Sequence, residues 1–337
     1  MRVGMDISQI AHKGGVATYT TNLSQELSKV RDLEMVYFYS SLRKPYHGEL
    51  KNVKKFRLPP SLFEMLFNKW RNINIEHFLG PLDIFHSSDW IQPPSKAKKI
   101  TTYHDVVPLK YPQWSHPKIV SVHKDRLKIV EREIDCVIAV SESTKKDLIE
   151  LTNIPEEKIE VVYEAAGENF KVESETKVEE FRKKYKLPQS FVLAIGGIGE
   201  RRNLKRVKEA CQGYDLMISG IDTPMLSDEE MPLLYCAASI LLYPSLYEGF
   251  GLPILEAMSC GIPVITSDVS SMPEVGGDAA VYVDPHNVED IKKKLKNVME
   301  DEELRKELID KGFTQAKKFS WEKTAKETAD VYRKAVR

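Results

Sequence analysis

Between Ser239 and Gly261 the chain runs from an apolar strand through a glycine loop into a helix, and this stretch leaves few folds open. Ser239-Ile-Leu-Leu-Tyr243 is a short apolar run of strand type, closed by Pro244. Pro253 occupies a first-turn position, and Ile254, Leu255, Ala257 and Met258 continue as a helix that stops at Gly261. The loop Glu248-Gly-Phe-Gly251 therefore joins the carboxyl end of a strand to the amino end of a helix. Its two glycines let the backbone approach a ligand, and the unpaired N–H groups of the helix start point at whatever sits there, an anion site that a diphosphate would fit. Glu248 and Glu256 would repel a phosphate unless they face hydroxyl donors such as those of a sugar. Taken singly, each glutamate reads more simply as an acid near a helix start or on a solvated face.

The same order of strand, glycine turn and helix occurs twice more. Arg2-Val-Gly-Met-Asp-Ile7 leads through Gly14-Gly15 into helical periodicity from Val16 to Lys29. Phe191-Val-Leu-Ala-Ile195 leads through Gly196-Gly-Ile-Gly-Glu-Arg-Arg-Asn203 into a helix from Leu204. Repeated units of this kind predict doubly wound parallel sheets with ligands at the strand ends. The third glycine of a dinucleotide fingerprint is missing, so NAD is not expected. Arg201 and Arg202 instead offer two bidentate, permanently charged forks suited to a diphosphate.

At 337 residues the chain is long enough for two domains of about 150 residues each. Lys and Arg number 49 against 50 Asp and Glu, a net charge of -1, which gives no global basic field for a nucleic acid. Cys136, Cys211, Cys236 and Cys260 lack metal-ligand or redox spacing and sit in apolar segments, as buried thiols in a reducing compartment do. Asp6 interrupts the amino terminus before a signal-type apolar stretch develops, and no apolar run approaches the ~20 residues of a membrane span, so a cytoplasmic protein is expected.

In the first half, Met35–Tyr39 and Val53–Leu58 read as strands, and Ser61 to Phe78 as one helix with Leu62, Met65, Leu66 and Phe67 inside. Lys51, Lys54, Lys55 and Arg57 flank its start, and a second basic helix runs between Lys118 and Arg132. A solvated face over a core helix is the simpler reading of both, with peripheral contact to an anionic membrane or lipid-linked acceptor as the alternative. Asp83–Ser87 and Lys99–Asp105 are strands ending in polar residues. Such ends face the ligand crevice, which makes His104 and Asp105 the best candidates for chemistry in this half. Asp135–Ser141, with Ser141 capping a helix, and Ile159–Tyr163 close the first domain. The charged stretch from Glu164 to Pro188 marks a boundary.

The string Glu248, Gly249, Phe250, Gly251, Glu256, Cys260, Gly261 and Pro263 closely resembles the signature of the retaining nucleotide-sugar glycosyltransferases of family 4. Thr102-Tyr-His-Asp-Val-Val-Pro-Leu109 is similar to the His-Asp segment of the mannosyltransferase-like members. The resemblance implies an α/β chain of two Rossmann-like doubly wound domains facing a central cleft, the GT-B fold. It divides the chain into an acceptor-side domain at 1–165, a linker at 166–188, a nucleotide-sugar domain at 189–318 and a terminal helix at 319–337 that in this fold often crosses back. By resemblance Glu248 lies beside the transferred sugar, the amides of Gly249, Phe250, Gly251 and Leu252 meet sugar and phosphate, and Glu256 holds the ribose hydroxyls. Gly14 and Gly15 face the cleft, His104 lies by sugar and acceptor with Asp105 on the acceptor side, and Arg201 and Arg202 neutralise the departing diphosphate. Arg202 replaces the family's usual Lys, keeping charge but not geometry. Between Gly220 and Ser227 about one strand-helix unit of the family's base pocket is missing.

No Asp-x-Asp pair that would hold a divalent metal is present, so the arginines and the helix start beyond Gly251 are expected to carry the leaving phosphate without metal or cofactor. The family's chemistry implies retention, with the leaving phosphate taking the acceptor's proton and domain closure excluding water. The expected donor is GDP-mannose, with UDP-hexoses open, and the acceptor a glycan or lipid-linked saccharide. The competing readings are a non-catalytic nucleotide-sugar binder, an epimerase acting on donor alone, and a phosphorylase requiring free phosphate.

Overall fold

A computed structural model describes residues 1–12, 14–197 and 199–337. They form two compact units, Met1–Glu164 with Trp321–Arg337, and Ala165–Ser320.

The first unit is built on seven parallel strands, β1 (Arg2–Asp6), β2 (Glu34–Ser40), β3 (Val53–Phe56), β4 (Ile84–Ser87), β5 (Lys98–Tyr103), β6 (Cys136–Ala139) and β7 (Ile159–Val161), in the order β3-β2-β1-β4-β5-β6-β7. Every residue of β4 and β6 is buried, as in a parallel sheet covered on both faces. The order reverses at β1, so the crevice for a ligand opens at the carboxyl ends of β1 and β4. Asp6, His86 and Ser87 lie at those ends. At the edge, β3 leaves Lys54 and Lys55 exposed, charges that discourage further strand pairing.

The single helix expected over Ser61 to Phe78 is broken. Pro60–Glu64 is followed by a wider π-type turn, Met65–Trp70, and by a short helix, Glu76–Leu79. Arg71 ends the turn in the left-handed region with φ 55°, its N–H donating to the Leu66 carbonyl at 2.8 Å. Its side chain holds that conformation by donating to the carbonyls of Phe67 and Gln92, both at 2.8 Å, and by pairing with Glu133 at 2.5 Å. The face turned to the core is Phe63 and Phe67, stacked at 5.4 Å, while Leu62, Met65 and Leu66 stay half-buried. The second basic helix, Pro117–Glu133, differs from the solvated reading at Arg126, which is fully buried.

The terminal helix, Trp321–Ala335, belongs to the first unit and packs on the helix Gly15–Leu27. Thr324 Oγ1 donates to the Tyr163 carbonyl at 2.8 Å, and Arg333 pairs with Asp32 at 2.8 Å.

The second unit has five parallel strands, β8 (Val192–Ile195), β9 (Leu216–Ser219), β10 (Ile240–Tyr243), β11 (Val264–Ser267) and β12 (Ala280–Val283), in the order β12-β11-β10-β8-β9. Among the described residues no strand lies between β9 and the helix Met231–Ala237. The stretch 166–188, expected as a linker, is part of this unit. Its helix Glu175–Tyr185 buries Val178 and Phe181, which gives the stretch a core face of its own. The order reverses between β8 and β10, whose carboxyl ends carry the Gly196–Asn203 turn and the Glu248 loop. Ile198 of that turn lies outside the described residues. Gly196 is required by a close approach, because a Cβ there would stand 2.3 Å from the Ser219 carbonyl oxygen.

Candidate functional site

In the second unit, the loop after β10 is fixed from two sides. Leu246 N–H donates to the Arg201 carbonyl at 2.8 Å, and the Asn203 amide donates to the carbonyls of Pro244 at 2.9 Å and Pro285 at 2.6 Å. Ser270 and Ser271, which follow β11, donate to the Glu248 carbonyl at 2.5 and 3.0 Å, and Ser271 also reaches the Phe250 carbonyl at 2.7 Å. The Phe250 ring itself is buried edge-on to Phe319 at 5.9 Å, so this residue offers a ligand its backbone and not its ring.

Gly251 caps the helix Leu252–Ser259 at φ 109°. Only glycine holds this conformation without strain, and the helix's first N–H groups are set by it. Gly249 and Leu252 are buried beside it.

Glu248 is buried and grips both predicted arginines. Arg201 Nη1 donates to Oε2 at 3.0 Å and Arg202 Nη1 to Oε1 at 2.7 Å. The Arg202 guanidinium also lies 5.0 Å from the centre of the Tyr243 ring. Burial pulls Arg202 below its ordinary pKa while the Glu248 charge raises it. Two guanidiniums against one carboxylate leave one net positive charge at the meeting point of both strand ends. Glu256, one turn into the helix Leu252–Ser259, accepts from the Tyr235 hydroxyl at 2.6 Å. Desolvation pushes its carboxyl up to about 7, opposed by that hydrogen bond and by the Arg202 charge. A carboxyl held there changes charge near neutrality and suits a hydroxyl-rich partner.

In the first unit, Gly14 caps the helix Gly15–Leu27 at φ 112°. Tyr19 of that helix meets the His104 ring edge-on at 4.5 Å. His104 and Asp105 do not pair with each other. His104 Nδ1 bonds Glu164 Oε1 at 2.9 Å, while Asp105 Oδ1 accepts from Val107 N–H at 2.9 Å at the start of the helix Val107–Lys110. The split follows from the backbone: His104 is the first residue past β5, and Asp105 already accepts from an N–H of the first turn of the next helix. Burial disfavours a charged His104, but the Glu164 hydrogen bond and the charges of Glu164, Asp89 and Asp105 outweigh it and raise the pKa.

A buried chain of hydrogen bonds lies beneath, from Tyr332 to His86 Nδ1 at 2.6 Å, His86 Nε2 to Thr102 at 2.9 Å, and Thr102 to Tyr19 at 3.0 Å. Burial lowers His86 to about 3, so it is neutral and its ring nitrogens act as one donor and one acceptor. Beside this cluster is a cavity of about 300 Å³ whose walls include Asp6, Gln9, Phe38, Phe63 and Trp90. Asp6, Gln9 and Ser88 also line the small space next to His104.

Sequence reasoning did not single out Asp6, Glu164, Asn203, Tyr235, Ser270 or Ser271. Asp6 and Glu164 follow the rule that strand ends face the crevice, since each stands at or just after the end of a strand. Tyr235 carries no local signal, because its partner is in another helix. Among the described residues no group of three or more His, Cys, Asp or Glu side chains is placed to hold a metal ion, and no helix is long and apolar enough to cross a membrane.

The pattern described as Glycosyltransferase Family 4 matches residues 13–165, and that described as glycosyl transferases group 1 matches 152–315. The O-antigen chain mannosyltransferase B of Escherichia coli is 32% identical over 288 residues, covering 74% of each chain. Among solved structures, a sucrose-phosphate synthase from Thermosynechococcus elongatus aligns with a TM-score of 0.74 at 18% identity, over 99% of this chain and 98% of its own. HepE of Anabaena, solved with UDP and glucose, aligns with a TM-score of 0.72 at 15% identity, over 99% of this chain and 100% of its own. The two parallel-sheet units thus have the GT-B fold of these neighbours.

Proposed function

The chain belongs to the family 4 glycosyltransferases and is a glycosyltransferase, and from that premise we propose that it is a retaining mannosyltransferase acting on GDP-mannose and a glycan or lipid-linked saccharide acceptor. The observation that carries this reading is the convergence of Arg201, Arg202, Glu248 and Glu256 at the carboxyl ends of β8 and β10. Similarity to an O-antigen mannosyltransferase supports the choice of sugar.

Breaking the bond from the anomeric carbon to the diphosphate sends its electron pair to the leaving group. The guanidiniums and the N–H groups beyond Gly251 take up that charge, the role a divalent cation fills elsewhere. An acceptor oxygen bonds the anomeric carbon on the face the phosphate leaves, and its proton passes to a phosphate oxygen, which retains configuration without a covalent intermediate. Glu248 lies beside the sugar, and Glu256 accepts from the donor's ribose hydroxyls. In the first unit, the cavity by Asp6 and Trp90 receives acceptor sugar, an aromatic wall facing its C–H groups and Asp6 and Gln9 its hydroxyls. Exposed Trp70 and Leu58, with Lys54, Lys55 and Arg57, support peripheral contact with an anionic membrane carrying such an acceptor.

The test incubates purified protein with GDP-mannose, UDP-glucose or UDP-galactose and a lipid-anchored oligomannoside, with and without EDTA, and assigns the product anomer by NMR. We expect an α-mannoside from GDP-mannose at an EDTA-insensitive rate. Donor consumed without acceptor would indicate an epimerase or hydrolase, and no consumption with bound nucleotide a non-catalytic relative.

A further inference from the structure

Tyr235 is fully buried on the helix Met231–Ala237, and its ring meets the edge of Phe170 at 5.7 Å. Its hydroxyl donates to Glu256 Oε2 at 2.6 Å. We propose that Tyr235 is a positioning residue of the donor site, which fixes Glu256 by one oxygen and holds it as a hydrogen-bond acceptor for a vicinal diol. The inference rests on the reading that Glu256 receives the donor's ribose.

A carboxylate offers about four lone-pair sites on two oxygens. Tyr235 uses one on Oε2, so the side chain cannot turn without breaking a buried bond, and the lone pairs of Oε1 with the remaining site of Oε2 are left to accept from two hydroxyls. Both hydroxyls can donate only while the carboxyl is ionised, because its protonated form keeps one oxygen as a donor. The groups facing Glu256 are Tyr235 from the helix before β10, Arg202 from the turn after β8, and Cys260 at the end of its own helix. Arg202 already shares its charge with Glu248. The Cys260 thiol, raised by its hydrogen bond with Cys236 and by burial, stays neutral. Tyr235 is thus the neutral donor dedicated to Glu256, and without it the desolvation of that carboxyl is opposed by Arg202 alone.

The experiment is titration calorimetry of GDP, UDP and ADP with wild type, Tyr235→Phe, Glu256→Gln and the double variant between pH 6 and 9. Wild-type affinity for the preferred nucleotide is expected to fall below about pH 7, following the Glu256 carboxyl. Tyr235→Phe moves that midpoint upward, with about a fivefold loss at pH 7 for a movement of one unit and near-complete recovery by pH 9. In the Glu256→Gln background Tyr235→Phe has no further effect. Difluorotyrosine at position 235, a stronger donor of the same shape, moves the midpoint down and covers the case in which Tyr235→Phe does not fold. A loss equal at every pH, or one that persists in Glu256→Gln, would reduce Tyr235 to a packing residue and overturn the inference alone. Wild type that binds none of the three nucleotides would remove the proposed function as well.

Discussion

Arg202 Nη1 donates to Glu248 Oε1 at 2.7 Å, and this bond ties the turn after β8 to the loop after β10. It gives the arginine a counterion before any diphosphate arrives. In the proposed donor complex, a diphosphate would therefore have to share or replace the hold of Glu248 on the guanidiniums.

Removing that carboxylate should leave the Arg202 fork partly buried without its charged acceptor. We expect Glu248→Ala to cost about 2–3 kcal/mol of second-unit stability. Saturating GDP should return part of the loss by supplying anionic oxygens. Turnover should fall about a hundredfold or more, as when other preorganised charge-stabilising groups are lost. Urea unfolding with and without GDP measures the first effect. A variant as stable as wild type would show that the ion pair contributes nothing net.

The His104–Glu164 contact gives a pH dependence of opposite sense to most carboxylate effects. The folded-state pKa of His104 is raised, so its contribution is fully present below the unfolded value of about 6.5 and is lost as pH rises through the higher folded value. All four tryptophans, Trp70, Trp90, Trp114 and Trp321, lie in the first unit, so their fluorescence reports its unfolding. First-unit stability should decline from pH 6.5 to 8.5 in wild type, and Glu164→Gln should flatten that decline. An unchanged slope in Glu164→Gln would break the assignment.

Gly251 sits at φ 109°, and a Cβ there would stand 3.3 Å from Ile254 Cδ1. Gly251→Ala should cost about 1–2 kcal/mol from backbone strain. Because the residue sets the direction of the helix's first N–H groups, GDP affinity should also fall, while far-UV circular dichroism stays near wild type. Calorimetry finding full GDP affinity in a folded Gly251→Ala protein would detach the helix start from the donor site.

The strand, glycine turn and helix units were legible because each is a local pattern: an apolar run, glycines, and helical spacing behind them. Gly251 and the two arginines were found that way, Glu248 was singled out by the family resemblance, and the structure brings Glu248 and the arginines together. The pairing of Glu248 with Arg201 and Arg202 was not legible, since it joins loops 46 and 47 residues apart and depends on β8 and β10 being neighbours. The separate partners of His104 and Asp105 were not legible either, because residues adjacent in sequence turn to different neighbours, the Glu164 carboxylate and the Val107 N–H. The broken helix after Ser61 was missed because Arg71 enters the left-handed region to make hydrogen bonds with Phe67 and Gln92, and no glycine marks the site.

His86 is buried neutral, with its pKa lowered to about 3, and it holds Tyr332 of the terminal helix at 2.6 Å. The sign here is the reverse of that for His104. A group depressed in the folded state contributes stability that is complete above the unfolded value of about 6.5 and is lost as pH falls toward the folded one, at about 1.4 kcal/mol per pH unit. His123, lowered to about 4 by burial and by the Arg126 charge, adds in the same direction. First-unit stability should therefore fall between pH 6.5 and 4.5. His86→Gln should remove part of the slope and leave the share of His123. Tyr332→Phe should cost about 1 kcal/mol at pH 7 by leaving a His86 ring nitrogen without its partner. Urea unfolding followed by tryptophan fluorescence across this range measures all three proteins, and a His86→Gln slope equal to wild type would mean that His86 is charged in the folded state.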